Sequence, residues 1–466
     1  MSRLVVVSNR IAQPRRVPAA GGLEVGVLAA IRARGGLWFG WSGEQSEDVP
    51  APAAVMRRQD VSYATIDLPR ADFDAYYGGF CNGTLWPLFH YFVGAMQYSD
   101  AQRDAYWRVN ALFAERLLPL LRPDDLVWVH DYHLIPLAHA LRNRGATQPV
   151  GFFLHIPFPH VEALRALPGH EDLVRQLLAY DLVGLQTPRD LASLRSAVTE
   201  VAGPSALRGD VVVRVDGHAT RLGVFPIGID VEAIRRESQQ SRDSETVRRM
   251  SAGLLGRRCV IGVDRLDYSK GLVDRFHAYE RFMELHPESL NHVTFLQIAP
   301  HSRPDVRAYA DIRRSLEQTA GRINGRFAET DWTPIRYLNR NFSHEVLMGF
   351  LRKACVGVVT PMRDGMNLVA KEFVAAQDPD DPGVLVLSRL AGAAEELGGA
   401  LPVNPRDTHG VADAIHRALS MPRDERRARH AQMVDALRRN DIHAWHSRFV
   451  AQLQASTPSR PLPLAV

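Results

Sequence analysis

Residues 356–372 read VGVVTPMRDGMNLVAKE, a short apolar run that passes through a polar turn into an amphipathic segment. The run Val356–Thr360 has the length and the β-branched content of a buried strand. Gly365 permits a tight turn, and the residues after it predict a helix. A strand that leads through a loop into a helix is the repeating unit of a parallel α/β sheet.

The same alternation of short apolar runs with longer amphipathic segments continues along the whole chain and predicts an α/β fold. A polar, helix-prone stretch up to Arg249 separates two series of strands, so we expect two doubly wound sheets. The predicted domains are 1–225, 226–445, and a helix end with a mobile tail at 446–466. Ligands bind at the carboxyl ends of such strands, so the two domains are expected to face one cleft. Strands are predicted at Leu4–Ser8, Leu126–His130, Val150–His155, Leu182–Gln186, Cys259–Val263, Val293–Ile298, Val356–Thr360 and Val384–Ser388.

The composition excludes several classes of protein. With 466 residues, of which 46% are hydrophobic, the chain has ample material for folded cores, and its formal net charge of +4 does not imply wholesale nucleic-acid binding. Its three cysteines lack the spacing of a zinc site or a disulfide framework, which favours a reducing cytoplasm. The apolar stretch Leu4–Val7 is too short for the core of a signal peptide, and no apolar run is long enough to span a membrane, so neither feature is expected.

Polar residues that follow the second series of strands point to a nucleotide-bearing ligand. Arg265 and Lys270 share one strand-end loop, where two cations suit a diphosphate, although surface charge is the alternative. Asp364 could bind sugar hydroxyls, and Glu372 lies one turn into the next helix, where it could bind a ribose diol. The backbone amides at the start of that helix could face an anion; they belong to Met366, Asn367, Leu368 and Val369.

The first half offers less specific candidates. Gly21 and Gly22 precede a helix and could cradle a phosphate, but their spacing is not that of a dinucleotide fingerprint, and a simple turn is the alternative. Asp131 could bind sugar hydroxyls or serve as a helix N-cap. His155 ends a strand and could equally be a core histidine. Aromatic residues around Tyr77 and Trp86 could pack on a carbohydrate or belong to the core; the neighbours are Tyr76, Leu85 and Pro87.

Several long motifs occur in one order along the chain: LVVVSNR (4–10), GLWFGWSG (36–43), LWP (85–87), VHDYH (129–133), FLHIPFP (153–159), RLDYSKG (265–271) and RDGMNL (363–368). In these motifs the chain resembles the trehalose-6-phosphate synthases, retaining glycosyltransferases of the GT-B fold, over nearly its whole length. The resemblance implies transfer of glucose from a nucleotide sugar, usually UDP-glucose, to glucose 6-phosphate.

The resemblance also implies roles for individual residues. Arg10 and Arg303 would hold the acceptor phosphate, and Tyr77, Trp86 and Asp131 the acceptor sugar. On the donor side it implies contacts from Gly21, Gly22, Arg265, Lys270, Phe342, Asp364, Gly365, Met366, Asn367, Leu368, Val369 and Glu372. The catalytic set would be His155, Arg265, Lys270 and Asp364.

In this family the donor phosphate is thought to take the acceptor proton, so the resemblance implies no protein nucleophile, cofactor or metal. It is compatible with a dimer or tetramer, and with a separate phosphatase acting on the product. A synthase for another phosphorylated acceptor, such as glycerol 3-phosphate or a cyclitol phosphate, is one alternative; a catalytically silent sugar-phosphate sensor is another. A pyridoxal-phosphate phosphorylase is disfavoured because no motif for a cofactor lysine is present. The donor base stays open among uracil, guanine and adenine.

Overall fold

The computed structural model describes residues 2–11, 28, 31–32, 35–47, 52–58, 60–300 and 307–456. The chain forms two compact units, Met1–Pro226 with His443–Val466, and Ile227–Ile442. The sequence prediction separated 446–466 as a helix end and tail. The structure differs, because the described part of that segment packs in the first unit, and residues 457–466 lie outside the described residues.

The first unit is built on a sheet that has ten strands among the described residues, in the order β3-β4-β2-β1-β5-β6-β7-β10-β9-β8. Neighbouring strands from β4 to β10 pair in parallel, and β3, β9 and β8 pair antiparallel at the edges. The strands are β1 (Leu4–Arg10), β2 (Gly36–Ser46), β3 (Ala54–Arg58), β4 (Val61–Pro69), β5 (Leu126–His130), β6 (Val150–Phe153), β7 (Leu182–Leu185), β8 (Leu207–Arg208), β9 (Val212–Val215) and β10 (His218–Val224).

Helices cover this sheet and connect its strands. The helix Pro188–Ala202 begins with a favourable N-terminus, because the Thr187 side chain accepts a hydrogen bond from the Asp190 backbone N–H (3.1 Å) and Pro188 is the first helical residue. A π-helix, Asp74–Leu85, precedes α2. The α-helices are α1 (Arg70–Phe73), α2 (Trp86–Phe89), α3 (Asp100–Leu117), α4 (Leu137–Arg142), α5 (Val161–Leu164), α6 (His170–Leu177) and α7 (Pro188–Ala202). Short 3-10 helices lie at Val93–Ala95, Leu118–Leu120, Tyr132–Leu134 and Pro204–Ala206.

The second unit has a parallel sheet with six strands among the described residues, in the order β13-β12-β11-β14-β15-β16. The strands are β11 (Arg258–Val263), β12 (Val293–Ile298), β13 (Ile335–Leu338), β14 (Val356–Val359), β15 (Val384–Ser388) and β16 (Leu401–Val403). The helices are α8 (Val231–Ser241), α9 (Glu245–Gly253), α10 (Leu272–Leu285), α11 (Arg307–Phe327), α12 (His344–Lys353), α13 (Leu368–Ala376), α14 (Thr408–Ser420) and α15 (Arg423–Arg439). The 3-10 helices are Tyr268–Lys270, Pro287–Ser289 and Gly392–Glu395.

The last helix, α16 (Ile442–Gln454), returns the chain to the first unit. Phe449 is fully buried and stacks on Trp128 of β5, with ring centroids 4.6 Å apart. Gly151 and Gly184 make room for it, because a Cβ at either position would lie within 2.9 Å of the Phe449 ring. Small residues on β6 and β7 and a large aromatic residue on α16 therefore hold this helix on the sheet.

Among the described parallel strands, each sheet reverses its strand order at one place. In the first sheet the reversal lies between β1 and β5, and in the second between β11 and β14. At such a switch point the adjoining connections leave in opposite directions and open a crevice at the carboxyl ends of the strands, where ligands of doubly wound sheets bind. The fold thus directs attention to the loops that follow these four strands.

Candidate functional site

The loop after β11 carries Lys270 and is anchored at several points. The Asp267 side chain accepts a hydrogen bond from the Ser269 backbone N–H (2.9 Å), which starts the short 3-10 helix Tyr268–Lys270. The Ser269 carbonyl accepts one from the Met362 backbone N–H (2.7 Å), so this loop is tied to the loop after β14. Gly271 has φ +64°, and a Cβ there would lie 2.6 Å from the Thr360 carbonyl oxygen. A side chain at 271 would separate the two loops.

A buried arginine forms hydrogen bonds with residues of both loops. Arg275 of α10 forms an ion pair with Asp264 at 2.5 Å and donates to Thr360 Oγ1 (2.9 Å) and to the Lys270 carbonyl (3.3 Å). Burial raises the pKa of Asp264, although the charges of Arg275 and Lys270 oppose that shift. Arg275 is not among the site residues that the sequence predicts. The signal that could have found it is an acidic residue directly after a buried strand, which requires a cationic partner.

The loop after β14 carries the other donor candidates that the sequence singles out. Lys270 Nζ lies 2.6 Å from Asp364 Oδ2, and the Asn367 side-chain amide donates to the same oxygen (3.0 Å). Asn367 also caps α13, since its Oδ1 accepts from the Ala370 backbone N–H (3.1 Å). Its φ of +77° is uncommon for a residue other than glycine. The structure thus brings Lys270, Asp364 and Asn367 together, with the first turn of α13 beside them.

The remaining donor candidates differ in exposure. Arg265 is exposed, and Gly365 and Met366 are buried. Leu368 and Val369 are half-buried at the start of α13, and Glu372 is buried one turn further along that helix. Phe342 is half-buried, packs edge-on against Phe350 with centroids 5.2 Å apart, and lies under the Arg340 guanidinium. Glu372 lies 3.6 Å from His344, a residue that the sequence analysis did not single out.

In the first unit, Arg10 ends β1 at an aromatic cluster. Its guanidinium lies 5.4 Å from the Trp41 ring centroid, and Gly43 (φ +98°) allows it to approach, because a Cβ there would lie 2.8 Å from Arg10 Nη2. Tyr77 is half-buried and near-parallel to His133, with ring centroids 5.9 Å apart. Arg10 and Tyr77 therefore border the same aromatic surface through Trp41, whose centroid lies 6.3 Å from that of Tyr77.

Trp86 is a core residue of this unit as well as a site candidate. It is 4% exposed and packs on His90 and Tyr132, with centroids 4.2 and 5.8 Å away. The interpretation of this aromatic residue as core is confirmed. A role in binding sugar stays a prediction.

Asp131 follows β5 in a strained backbone conformation, with φ +76° and ψ 165°. That region is populated almost entirely by glycine and costs a side-chain-bearing residue about 1–3 kcal/mol. Asp131 occupies the N-cap position of the 3-10 helix Tyr132–Leu134, as the N-cap interpretation expects, but its side chain makes no capping hydrogen bond. Instead its Oδ1 accepts from the His155 backbone N–H (3.2 Å). Strain of this kind persists where surrounding structure holds a residue in place, as at binding sites.

His155 is paired with a second histidine. Its Nε2 lies 3.0 Å from Nδ1 of His130, and the two rings are stacked with centroids 5.3 Å apart. Burial lowers the pKa of both rings, that of His155 to about 3. Because the buried Nε2 of His130 makes no hydrogen bond within the described ranges, a proton on His130 Nδ1 is favoured. In that tautomer the His130 Nδ1–H donates to His155 Nε2, which must therefore carry a lone pair. The one proton of the neutral His155 ring is then on Nδ1. The structure therefore presents a neutral imidazole that can donate one hydrogen bond.

Three residues of the predicted site cannot be placed. Gly21, Gly22 and Arg303 lie outside the described residues.

One trio among the described residues could reach a single metal ion: His286, Glu288 and His416. The two imidazole rings are stacked with centroids 3.7 Å apart and planes at 8°. A nitrogen lone pair lies in its ring plane, so one ion cannot lie in both of two parallel planes. The trio as arranged does not form a metal site.

Among the described helices, none is both long and apolar enough to cross a lipid bilayer.

Two doubly wound sheets, parallel apart from the edge strands of the first and with polar and charged loops after the strands at both switch points, are the architecture expected of a glycosyltransferase of the GT-B fold. Residues 8–455 match the family described as Glycosyltransferase family 20. The chain belongs to this family, which confirms the resemblance drawn from its motifs.

Known proteins similar to the chain agree with that assignment. It is 50% identical to a trehalose-6-phosphate synthase of Klebsiella pneumoniae, over 98% of this chain and 96% of that protein. It is 50% identical to an α,α-trehalose-phosphate synthase (UDP-forming) from Burkholderia xenovorans, solved in complex with glucose-6-phosphate, with a TM-score of 0.94 over 97% and 100% of the chains. An E. coli protein solved with UDP-2-fluoro glucose is 47% identical, with a TM-score of 0.92 over 98% and 100%.

Proposed function

We propose that the chain transfers glucose from UDP-glucose to glucose 6-phosphate and forms α,α-trehalose 6-phosphate. The observation that carries this proposal is the cluster of Lys270, Asp364 and Asn367 at the switch point of the second sheet. A cation beside a carboxylate and a helix start suits a ligand that joins a diphosphate to a sugar. The relatives solved with glucose-6-phosphate and with UDP-2-fluoro glucose support both substrate classes.

The second unit binds the donor in this proposal. Lys270 and Arg265 neutralise the diphosphate, Asp364 accepts hydrogen bonds from the donor glucose, and Glu372 accepts them from the ribose. The first-turn amides of α13 face the phosphates. Fixed cations stabilise the charge that grows on the departing diphosphate, and they need no reorganisation as the bond breaks.

The first unit binds the acceptor. Arg10 contacts the 6-phosphate, together with Arg303, while Tyr77, Trp86 and Asp131 surround the sugar. The carboxylate of Asp131 accepts hydrogen bonds from sugar hydroxyls, and the aromatic rings pack on the sugar faces.

His155 serves as a hydrogen-bond donor and does not exchange protons during the reaction. With a pKa of about 3, its ring stays neutral at physiological pH and is too weak a base to take the proton of the acceptor hydroxyl. The acceptor proton therefore passes to the donor phosphate, which leaves with it. Since attack and departure occur on the same face of the sugar, the anomeric configuration is retained.

We further propose a cytoplasmic homo-oligomer, a dimer or a tetramer, whose product passes to a separate phosphatase. The three cysteines, all within the described residues, form no disulfide, and burial raises the pKa of the Cys259 thiol to about 12. Such thiols are compatible with a reducing compartment.

Nucleotide release tests the proposal directly. UDP-, GDP- and ADP-glucose are each incubated with the protein, with and without glucose 6-phosphate, and with glycerol 3-phosphate as a competing acceptor. We expect release from UDP-glucose that depends on glucose 6-phosphate. Release that depends only on glycerol 3-phosphate would show that this compound, and not glucose 6-phosphate, is the acceptor. Binding of both substrates without turnover would favour a sensor.

A further inference from the structure

His344 lies between two carboxylates of the second unit. Its Nδ1 is 2.7 Å from Glu237 Oε2 on α8, and its Nε2 is 3.6 Å from Glu372 Oε1 on α13. Both helices pack against α12, on which His344 is the first residue. Helix α9 also packs there, but within the described residues it brings no charged side chain within ion-pair distance of His344. One imidazole thus links three helices.

The two contacts favour a protonated ring. A neutral imidazole carries one N–H, so its second nitrogen would turn a lone pair toward a carboxylate oxygen. The imidazolium has an N–H on each side and a charge opposite to both partners. Consistent with this geometry, contact with Glu372, and then with Glu237, raises the pKa of His344 to about 9.

The helix itself disfavours a cation at this position. His344 follows the N-cap Ser343, where the helix dipole favours negative charge. Local helix physics therefore opposes the protonated ring, and the two carboxylates outweigh that opposition. The arrangement is explained by what His344 contacts and not by helix formation.

Of the two carboxylates, Glu372 is the one that the proposed function assigns to the ribose of the donor. It is 9% exposed, and within the described residues its carboxylate makes one ion pair, to His344, and no side-chain hydrogen bond. A nearly buried carboxylate normally accepts several hydrogen bonds. Its remaining acceptor capacity suits the paired hydroxyls of a ribose.

We propose that His344 is a positioning residue for the nucleotide sugar: its imidazolium, held by Glu237, fixes the Glu372 carboxylate in the orientation that accepts the ribose hydroxyls. This inference rests on the proposed function, because it takes Glu372 as the ribose contact. His344 does not touch the reacting atoms. It acts on donor affinity and leaves the acceptor and the transfer step unchanged.

The test measures UDP binding by calorimetry and the steady-state constants for both substrates in the variants His344→Gln, His344→Arg and His344→Ala. His344→Gln removes the charge, and we expect UDP to bind about tenfold more weakly, as for the loss of one charge-assisted contact. KM for UDP-glucose rises by a similar factor, while kcat and KM for glucose 6-phosphate change less than about threefold. His344→Arg keeps the charge and restores binding. His292→Ala removes an exposed histidine of the same unit and serves as the control.

The pH dependence separates positioning from a merely structural role. UDP affinity of the wild type should fall between about pH 8 and about pH 10 as His344 loses its proton, whereas the arginine variant keeps its charge throughout. Ionisation of the uracil ring affects both proteins, so the ratio of their affinities isolates His344. In a Glu372→Gln background, His344→Gln should have little further effect.

Three results would overturn the inference: UDP binding by His344→Gln within twofold of wild type, a ratio of affinities to the arginine variant that does not change with pH, or a full loss that persists in the Glu372→Gln background. Thermal unfolding of each variant identifies any that fail to fold, and the glutamine and arginine variants then decide the question without the alanine variant. If the wild type binds and turns over UDP-glucose but the variants do not differ, only the inference fails. If the wild type binds no UDP, the proposed function fails with it.

Discussion

Lys270 Nζ and Asp364 Oδ2 are 2.6 Å apart, although 94 positions separate the two residues in the chain. The side chains are only 11% and 13% exposed, so the two opposite charges compensate each other where little water reaches them. The pair joins the loop after β11 to the loop after β14, the two strands at which the second sheet reverses its order. A diphosphate sugar that binds here meets a cation and a carboxylate already positioned next to each other.

Replacement of Lys270 tests its part in bond breaking. In Lys270→Ala the charge on the departing diphosphate loses a fixed cation, so we expect kcat to fall by about 10²–10³-fold, with a much smaller change in KM for glucose 6-phosphate. Steady-state kinetics at saturating UDP-glucose provides the measurement. Lys353→Ala removes an exposed lysine of the same unit and should have little effect. An unchanged rate at saturation would refute this role for Lys270.

Strain at Asp131 predicts that two variants with the same loss of activity differ in stability. Asp131→Gly and Asp131→Ala both remove the carboxylate and should both abolish efficient use of glucose 6-phosphate. Only glycine relieves the backbone at φ +76°, so the glycine variant should be more stable than the alanine variant by about 1–3 kcal/mol. Chemical unfolding of the two proteins measures that difference. Equal stability would mean that the backbone is not strained at this position.

The histidine pair predicts acid sensitivity. Below about pH 6.5 the unfolded chain protonates His155, whereas the folded chain does so only near its pKa of about 3. The unfolded state therefore binds more protons in this interval, and the free energy of unfolding falls as the pH falls. His155 alone should cost about 2 kcal/mol at pH 5 relative to neutral pH.

Urea unfolding at the two pH values measures the loss. In His155→Gln the loss between neutral pH and pH 5 should be smaller by about 2 kcal/mol, whereas His443→Gln, at an exposed position, should behave as the wild type. The same acid sensitivity in wild type and His155→Gln would show that His155 titrates normally.

The last helix is predicted to stabilise the first unit. Phe449→Ala empties the space that Gly151 and Gly184 leave for the ring, so we expect a loss of about 3–5 kcal/mol in the free energy of unfolding. Gln454→Ala, at an exposed position of the same helix, should cost little. Amide hydrogen exchange locates the effect, because we expect a loss of protection in β5, β6 and β7. Protection unchanged in these strands would contradict the assignment of α16 to this sheet.

The strands at both switch points could be predicted from local sequence, because each contains an apolar run that is buried on both faces of its sheet. These runs are Leu4–Val7 in β1, Leu126–Val129 in β5, Cys259–Val263 in β11 and Val356–Val359 in β14. Strands β2 and β4 could not be predicted, because polar residues interrupt their apolar pattern. For example, β2 ends in Ser42-Gly43-Glu44-Gln45-Ser46.

The site candidates next to those strands could also be predicted, since position at a strand end restricts what a polar residue does. The residues that position these site candidates could not be predicted from the sequence. Arg275 and His344 contact their partners through tertiary packing, and no spacing in the sequence brings Glu237 of α8 to His344 of α12. His130 appears in a motif, but its contact with His155 depends on the register of β5 and β6.

The most direct test of the account is the anomeric configuration of the product. The protein is incubated with UDP-glucose and glucose 6-phosphate, and the disaccharide phosphate is identified by mass and by the proton couplings of its two anomeric centres. We expect small couplings at both centres, as in an α,α-linked product formed with retention at the donor carbon. A β linkage at that carbon, or free glucose with no disaccharide, would contradict it.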